Sequence, residues 1–373
     1  MNGATELQQL DHLVDAVCLA ASNVHGNVHT VAAEQTRLLF PLITAAEHAA
    51  VVSQAVSRLA GLDVLDQLLA DPLVDEVMVN RGRDVWVDRA GSVVFAGELP
   101  AGAIDAVLER ALAPIGKRLD RASPVVDARL PDGSRLCAVV APIAVDGTTV
   151  SIRRHRVRRL ALESFCGPEV TQLLDAVVAR RANVLVTGAT SSGKTSLLRA
   201  LADRAGFADR FVVLEDTSEL TFPDRHVVRL EARPPAADSV RAVPLGELVR
   251  TALRLRPDRL VIGEFRGDEV VSVIQALNTG HDGSLSTCHA NTALDGLHRV
   301  ETLVLQAAPN WPLAAIRQQI SRSIDVIVHV ERAADGARRV AEVVEPVVTA
   351  GEPSTRQLAT ADRVVAEFER ARR

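Results

Sequence analysis

The 373-residue chain contains no tyrosine, and its aromatic content is only 3%, so there is no run of aromatic side chains on which a single nucleic-acid strand could stack. Positive charge is not in excess either. The formal net charge of −5 gives no global attraction to nucleic acid or anionic lipid, and no basic stretch tracks a strand, which argues against a helicase and against direct nucleic-acid binding. Cysteine is sparse. Cys18, Cys137, Cys166 and Cys288 lie far apart with no C-x-x-C pair, which excludes a disulfide framework and a paired-cysteine zinc site and fits reduced thiols in a cytosol. No apolar run approaches ~18 residues, and residues 1–11 lack a basic stretch followed by an apolar one. A cytoplasmic protein is expected, with membrane contact made only through partners. The scarcity of lysine beside abundant alanine, valine and arginine reads as codon bias and carries no function.

What the chain does have is apolar content and a phosphate loop. At 47% hydrophobic, 373 residues can fill two or three separate cores. Residues 188–195 read Gly-Ala-Thr-Ser-Ser-Gly-Lys-Thr, a complete G-x4-G-K-[ST] motif placed directly after the apolar run Asn183-Val184-Leu185-Val186-Thr187. A strand feeding a loop feeding a helix aims successive backbone N–H groups and a helix N-terminus at one point, and a polyphosphate such as that of ATP belongs there. Gly188 and Gly193 let the backbone turn around the phosphates, with Ala189, Thr190, Ser191 and Ser192 between them. Lys194 can neutralise β/γ-phosphate oxygens and Thr195 can offer a hydroxyl to Mg²⁺, while Ser196 opens the helix-like run that follows.

Along the rest of the chain, apolar residues recur at helical spacing from residue 6 to about 69, as in Leu10, Leu13, Val14, Val17 and again Val51, Val52, Ala55, Leu59. Strand-like pieces at 74–80, 84–88 and 92–95, a helix near 104–112 and strands at 135–140 and 148–152 then imply a small mixed α/β domain. The charged run Arg153-Arg154-His155-Arg156-Val157-Arg158-Arg159 reads as a connection. Beyond it, strands at 183–187, 211–214 and 259–262 alternate with helices at 169–179, 245–255 and 269–277, the pattern of a RecA-like α/β core. A hairpin is expected where runs 325–330 and 338–344 flank Asp335-Gly336. The divisions expected are a helical region 1–60, an α/β domain 61–158, an ATPase domain 159–350 and a polar tail 351–373 that frays.

Hydrolysis needs acids to hold Mg²⁺ and orient a water. Val261-Ile262-Gly263-Glu264 is an apolar strand ending in a carboxylate, a Walker B arrangement with Glu in place of the commoner Asp. Leu214-Glu215-Asp216-Thr217-Ser218-Glu219 closes another strand with three carboxylates, and open parallel sheets bind ligands at the carboxyl ends of their strands. A Gly/Ser/Thr-rich stretch, residues 278–291, holds His281 and His289 with too few partners for zinc, so a phosphate-facing histidine and an exposed loop histidine both fit.

These four stretches, in this order, resemble the Walker A, Asp box, Walker B and His box of the secretion ATPase superfamily of type II secretion, type IV pili and type IV secretion. Pro124-Val125-Val126-Asp127-Ala128-Arg129-Leu130-Pro131-Asp132-Gly133-Ser134-Arg135, Asn278-Thr279-Gly280-His281-Asp282-Gly283-Ser284 and Val261-Ile262-Gly263-Glu264-Phe265-Arg266-Gly267 look most like the CpaF-type ATPases of tight-adherence (Flp) pilus assembly. The resemblance covers residues 60–345 and implies a RecA-like P-loop core with a smaller N-terminal α/β domain, preceded here by the N-terminal helical region. It implies a homohexamer, peripheral at the inner face of the cytoplasmic membrane, that turns over ATP to move an inner-membrane platform protein. Carried over by position, Lys194 and Thr195 contact phosphate and Mg²⁺, Glu264 is the Walker B acid, Glu219 polarises the attacking water, and Glu215 and Asp216 support the metal. His289 answers to the γ-phosphate histidine and His281 to an upstream conformational contact. Arg135, Arg153 and Arg154 match arginines that reach the nucleotide, although Arg153 and Arg154 read equally well as a solvated linker run. Ala189 and Ser191 stand where the family often has Gly, and His155 where an aromatic is commoner. A type IV secretion ATPase exporting DNA or effectors shares every catalytic motif, and a non-hydrolysing nucleotide-binding scaffold is the alternative of another class.

Overall fold

In the computed structural model the described residues are 2–22, 24, 26–154, 159–223, 225–233, 241–333 and 336–369. His155, the rest of the expected linker at 156–158 and the expected turn residue Asp335 lie outside them. The chain divides into two compact units, Met1–Arg156 and Val157–Arg373. Among the described residues, no helix is long and apolar enough to cross a membrane.

The first unit opens with three helices, α1 (Asn2–Ala21), α2 (Val28–Leu39) and α3 (Ala45–Ala60). Their apolar stripes meet at Val14, Val17, Ala32, Val51, Val52 and Ala55, the packing that the helical spacing predicts. Asn27 starts α2 by accepting the N–H groups of His29 and Thr30, and Thr44 with Glu47 forms a capping box on α3. After α4 (Val64–Ala70) come β1 (Val74–Asn80), β2 (Asp84–Arg89), β3 (Ser92–Glu98), α5 (Ala103–Leu112), β4 (Val125–Arg129), β5 (Arg135–Val139) and β6 (Thr149–Arg153). The strands form an antiparallel sheet in the order β3-β2-β1-β6-β5-β4. Alternate residues of β1, β5 and β6 point into one core with Leu65, Ile104 and Leu108, so the sheet is packed on one face.

The second unit contains α6 (Pro168–Ala179), β7 (Val184–Gly188), α7 (Lys194–Asp203), β8 (Phe211–Glu215), β9 (Val227–Glu231), α8 (Leu245–Ala252), β10 (Arg259–Ile262), α9 (Glu269–Leu277), β11 (Leu285–His289), α10 (Ala293–Ala307), α11 (Leu313–Ser323), β12 (Val326–Arg332), β13 (Arg338–Thr349) and β14 (Glu352–Thr360). Its sheet runs β14-β13-β12-β7-β11-β10-β8-β9, parallel from β12 to β9. Strands β7, β8 and β10 are buried along their whole length. Val186, Val213 and Val261 face one core while Leu185, Leu214 and Ile262 face the other, which is why these strands read as unbroken apolar runs. This is the RecA-like arrangement expected.

Two parts of the sequence expectation change. Residues 351–373 were expected to form a fraying tail, but β14 pairs antiparallel with β13 from Glu352 to Thr360 and buries Leu358 and Ala359, because this polar segment carries just enough apolar surface to cover a sheet edge. The histidine-bearing stretch contains the central strand β11, whose Ser286 and Thr287 are buried between β7 and β10. Its hydroxyls are satisfied by main chain, Thr287 Oγ1 donating to Gly263 O at 2.6 Å, so polar residues stand in a core position without penalty.

One buried charge ties the unit together. Arg259, at the start of β10, is 3% exposed; it donates to Asp209 Oδ2 at 2.6 Å, Gly283 O at 3.1 Å and Val178 O at 3.1 Å. It thereby joins the ends of β10, α6 and the loop before β11. Arg259→Ala takes one of two arginine partners from Asp209, which keeps Arg181 at 3.3 Å, and removes the guanidinium from Gly283 O and Val178 O, so chemical denaturation should show a loss of about 1–3 kcal/mol. A loss below about 1 kcal/mol would deny the clasp its role.

Candidate functional site

The end of β7 and the start of α7 place the phosphate loop at the carboxyl edge of the parallel sheet, where such sheets bind ligands. Gly188 is required by space, since a Cβ there would lie 2.4 Å from Val330 O and 2.5 Å from Ser192 Oγ. Gly193, the residue before α7, is required by conformation, with φ at +103°. Ser191 holds φ 61°, a left-handed geometry that costs a side-chain-bearing residue about 1–2 kcal/mol. Ala189, Thr190 and Ser191 are exposed, Thr195 and Ser196 are half-buried, and the buried Ser192 Oγ has no hydrogen-bond partner. The side chain of Arg338 on β13 passes over Gly193, where a Cβ would lie 2.6 Å from its Cδ.

Lys194 is 6% exposed, and its ammonium donates to Gly188 O at 3.1 Å, Ala189 O at 2.9 Å and His289 Nδ1 at 3.0 Å. An ammonium has only protons to give, so His289 Nδ1 is the acceptor and Nε2 carries the ring proton. Burial holds both Lys194 and His289 below their ordinary pKa values, which keeps the imidazole neutral. His289 Nε2 lies 2.9 Å from Glu264 Oε1 but off the line of the ring N–H, leaving that buried oxygen without a hydrogen bond. The other Glu264 oxygen takes Arg266 Nη2 at 2.8 Å. The register His289↔Gly188 explains the meeting: β11 sets the histidine beside the first loop residue, and β10 ends one strand further on.

The acids of β8 divide by exposure. Glu215 is 4% exposed. Its Oε1 accepts the N–H groups of Glu219 at 3.0 Å and Leu220 at 3.1 Å, and its stem lies against Gly263, where a Cβ would meet Cγ at 2.7 Å. Burial pushes its pKa up to about 7. The structure places Glu215, expected to support the metal, on these backbone amides. Backbone amides and Gly263 take up its carboxylate, and it holds the turn that presents the exposed Asp216 and Glu219.

His281, expected as an upstream conformational contact of the nucleotide site, lies apart from the loop. It precedes β11, whereas His289 ends it, so the strand carries the two histidines to opposite edges of the sheet, and His281 Nδ1 instead meets Ala276 O at 3.1 Å. The candidate arginines sit in the first unit. Arg135 forks onto Asp127 with Nη2–Oδ2 at 2.6 Å, Arg153 stands opposite it in register on β6, and Arg154 donates to Asp71 O at 2.8 Å.

Residues 58–367 match the family described as "Type II/IV secretion system protein". The chain belongs to this family. As a member, it falls in the secretion ATPase superfamily that its motifs resemble. It is similar to a Mycobacterium tuberculosis (strain H37Rv) protein provisionally named for conjugal transfer, 36% identical over 77% of this chain and 85% of that one. The conjugal transfer protein TrbB of Rhizobium radiobacter is 32% identical over 76% and 86%. Among solved structures, the pilus retraction motor PilT with bound ADP shares the fold, at 20% identity, a TM-score of 0.58 and coverage of 78% and 84%. The CpaF-type likeness is finer than these matches reach.

Two orphaned buried oxygens, Ser192 Oγ and Glu264 Oε1, face the loop region and suit a phosphate and a Mg²⁺ ion that keeps several waters and needs only one or two carboxylates. Thr195 and Glu264 are the residues that would hold such an ion. Two neighbours escaped the sequence reading. Arg299 on α10 lines the cavity beside Glu264 and His289, and its helix pattern gives no sign of it. His329 on β12, 6% exposed, shares a 3.0 Å hydrogen bond with Thr187 Oγ1 just before the loop, and its place in an apolar strand was the available signal.

Burial holds His329 below its ordinary pKa of 6.5, so the unfolded chain takes up its proton first as pH falls. The stability given by neutral His329 is present above about pH 6.5 and is lost below it. Compared with His329→Gln, the wild type should lose unfolding free energy between pH 7 and pH 5; parallel pH profiles for the two proteins would contradict this.

Proposed function

We propose that this family member binds MgATP at residues 188–196 and couples its hydrolysis, as a closed homohexameric ring, to movement of an inner-membrane platform protein of a cell-envelope machine. The observation that supports this most is the Lys194–His289–Glu264 line, a buried cation, a neutral imidazole and a carboxylate set beside a glycine-built phosphate cradle. Lys194 exchanges its two carbonyl contacts for phosphate oxygens when the triphosphate enters, and the amides at the start of α7 bind the same group. Glu219, held by Glu215, orients the water that attacks the γ-phosphorus as the bond to the ADP oxygen breaks, giving ADP and inorganic phosphate. Mg²⁺ bound by Thr195 and Glu264 would draw charge from the β and γ oxygens. The neutral His289 accepts a hydrogen bond from Lys194 and adds no positive charge beside the metal site.

Two finer readings each rest on an observation. Relatives named for conjugal transfer favour a type IV secretion role, in export of DNA or effectors. Residues 124–135, which cover β4 and the turn into β5, carry the resemblance to Flp pilus assembly ATPases and favour fibre assembly. Both roles use the same hydrolysis.

Lys194→Ala should stay folded, lose ATP turnover and bind MgATP far more weakly, whereas Glu219→Gln should bind MgATP normally and turn it over at least 100-fold more slowly, since one catalytic proton acceptor is worth about 10²–10⁴. Steady-state turnover and equilibrium nucleotide binding separate the two. A folded Lys194→Ala protein with wild-type turnover would refute the site.

A further inference from the structure

A cavity of 380 Å³ opens beside the phosphate loop, lined by Thr190, Glu264, Arg266, Cys288, His289 and Arg299. Its charge is unbalanced. Arg266 is matched by Glu264 at 2.8 Å, but Arg299, exposed on α10, makes no hydrogen bond or ion pair among the described residues, and its charge lowers the proton affinity of His289 and Cys288 across the cavity. Glu264 is the one acidic residue in the lining, and it is already paired with Arg266. A second guanidinium without a counter-ion and a loop threonine therefore converge on one water-accessible volume. Space, positive charge and planar forks together fit a tetrahedral oxyanion.

We propose that Arg299 is a further catalytic residue, supplied by the same subunit's ATPase unit, that binds the γ-phosphoryl group as it is cleaved and retains it as inorganic phosphate in this cavity. This rests on the nucleotide site proposed above. The arginine's place follows from topology: α10 starts four residues after His289 at the end of β11, so the helix that follows the His box returns along the carboxyl edge with position 299 beside the loop. A guanidinium fork stabilises the charge spread over the three non-bridging oxygens in the transition state, where one such donor is worth roughly 10²–10³ in rate. The fork takes no proton. Its contact disappears when only ADP is bound, which makes the loss of phosphate a distinct step for the motor.

The test compares the full-length wild type, Arg299→Ala and Arg299→Lys for binding of MgADP and of MgADP with aluminium fluoride, alongside turnover. Both variants should bind MgADP within about twofold of the wild type, because the α- and β-phosphates contact the loop. The tightening produced by aluminium fluoride should fall roughly 100-fold in Arg299→Ala and less in Arg299→Lys, which keeps the stem and a point charge but loses the fork. Turnover should fall in parallel with little change in KM. Wild-type tightening by aluminium fluoride in both variants would overturn the proposal while leaving the nucleotide site standing. A wild type that fails to bind MgADP at all would instead overturn the site and this inference with it.

Discussion

Everything at the carboxyl edge of the larger sheet is arranged around a buried ammonium. Lys194 is 6% exposed, and burial alone would favour its neutral form, so the structure must surround it with acceptors. It does so with two loop carbonyls and an imidazole nitrogen. None of the three carries a full negative charge. The cation is solvated but not neutralised, and a polyphosphate can supply what the protein withholds. Glycine at 188 and 193 follows from the same constraint, because the carbonyls must come close and the chain must turn into α7 immediately afterwards.

The second layer consists of groups that hold other groups. His289 reaches Lys194 because β11 is hydrogen-bonded to β7, and Glu264 reaches His289 because β10 is hydrogen-bonded to β11. Glu215 fixes the main chain of Glu219 while filling the space left by Gly263, immediately before Glu264. The two acid-bearing strand ends are thus locked to each other through a glycine and a carboxylate. Arg259 secures the opposite edge of the same sheet through Asp209 and Gly283 O.

Much of this was legible in the sequence, for physical reasons. The phosphate loop is legible because its glycines are imposed by backbone geometry, and the strands β7, β8 and β10 because a strand buried on both faces cannot hide polar residues easily. The exception, β11, shows the limit: Ser286 and Thr287 satisfy their hydroxyls on main chain, so a central strand looks like a loop. His281 and His289 are neighbours in a motif but are separated by the length of that strand. Glu215 carries the composition of a metal ligand and the surroundings of a strut. Arg299 sits on an ordinary amphipathic helix, and only the cavity reveals what its charge faces.

The central claim is that the Lys194 ammonium is held ready for a triphosphate and is transferred to it on binding. A crystal structure of the protein with Mg²⁺ and a non-hydrolysable ATP analogue tests this directly. The account predicts the β- and γ-phosphates within residues 188–196, with Lys194 Nζ hydrogen-bonded to them and released from Gly188 O and Ala189 O. A triphosphate bound elsewhere, or one in the loop with the lysine still on its carbonyls, would contradict it.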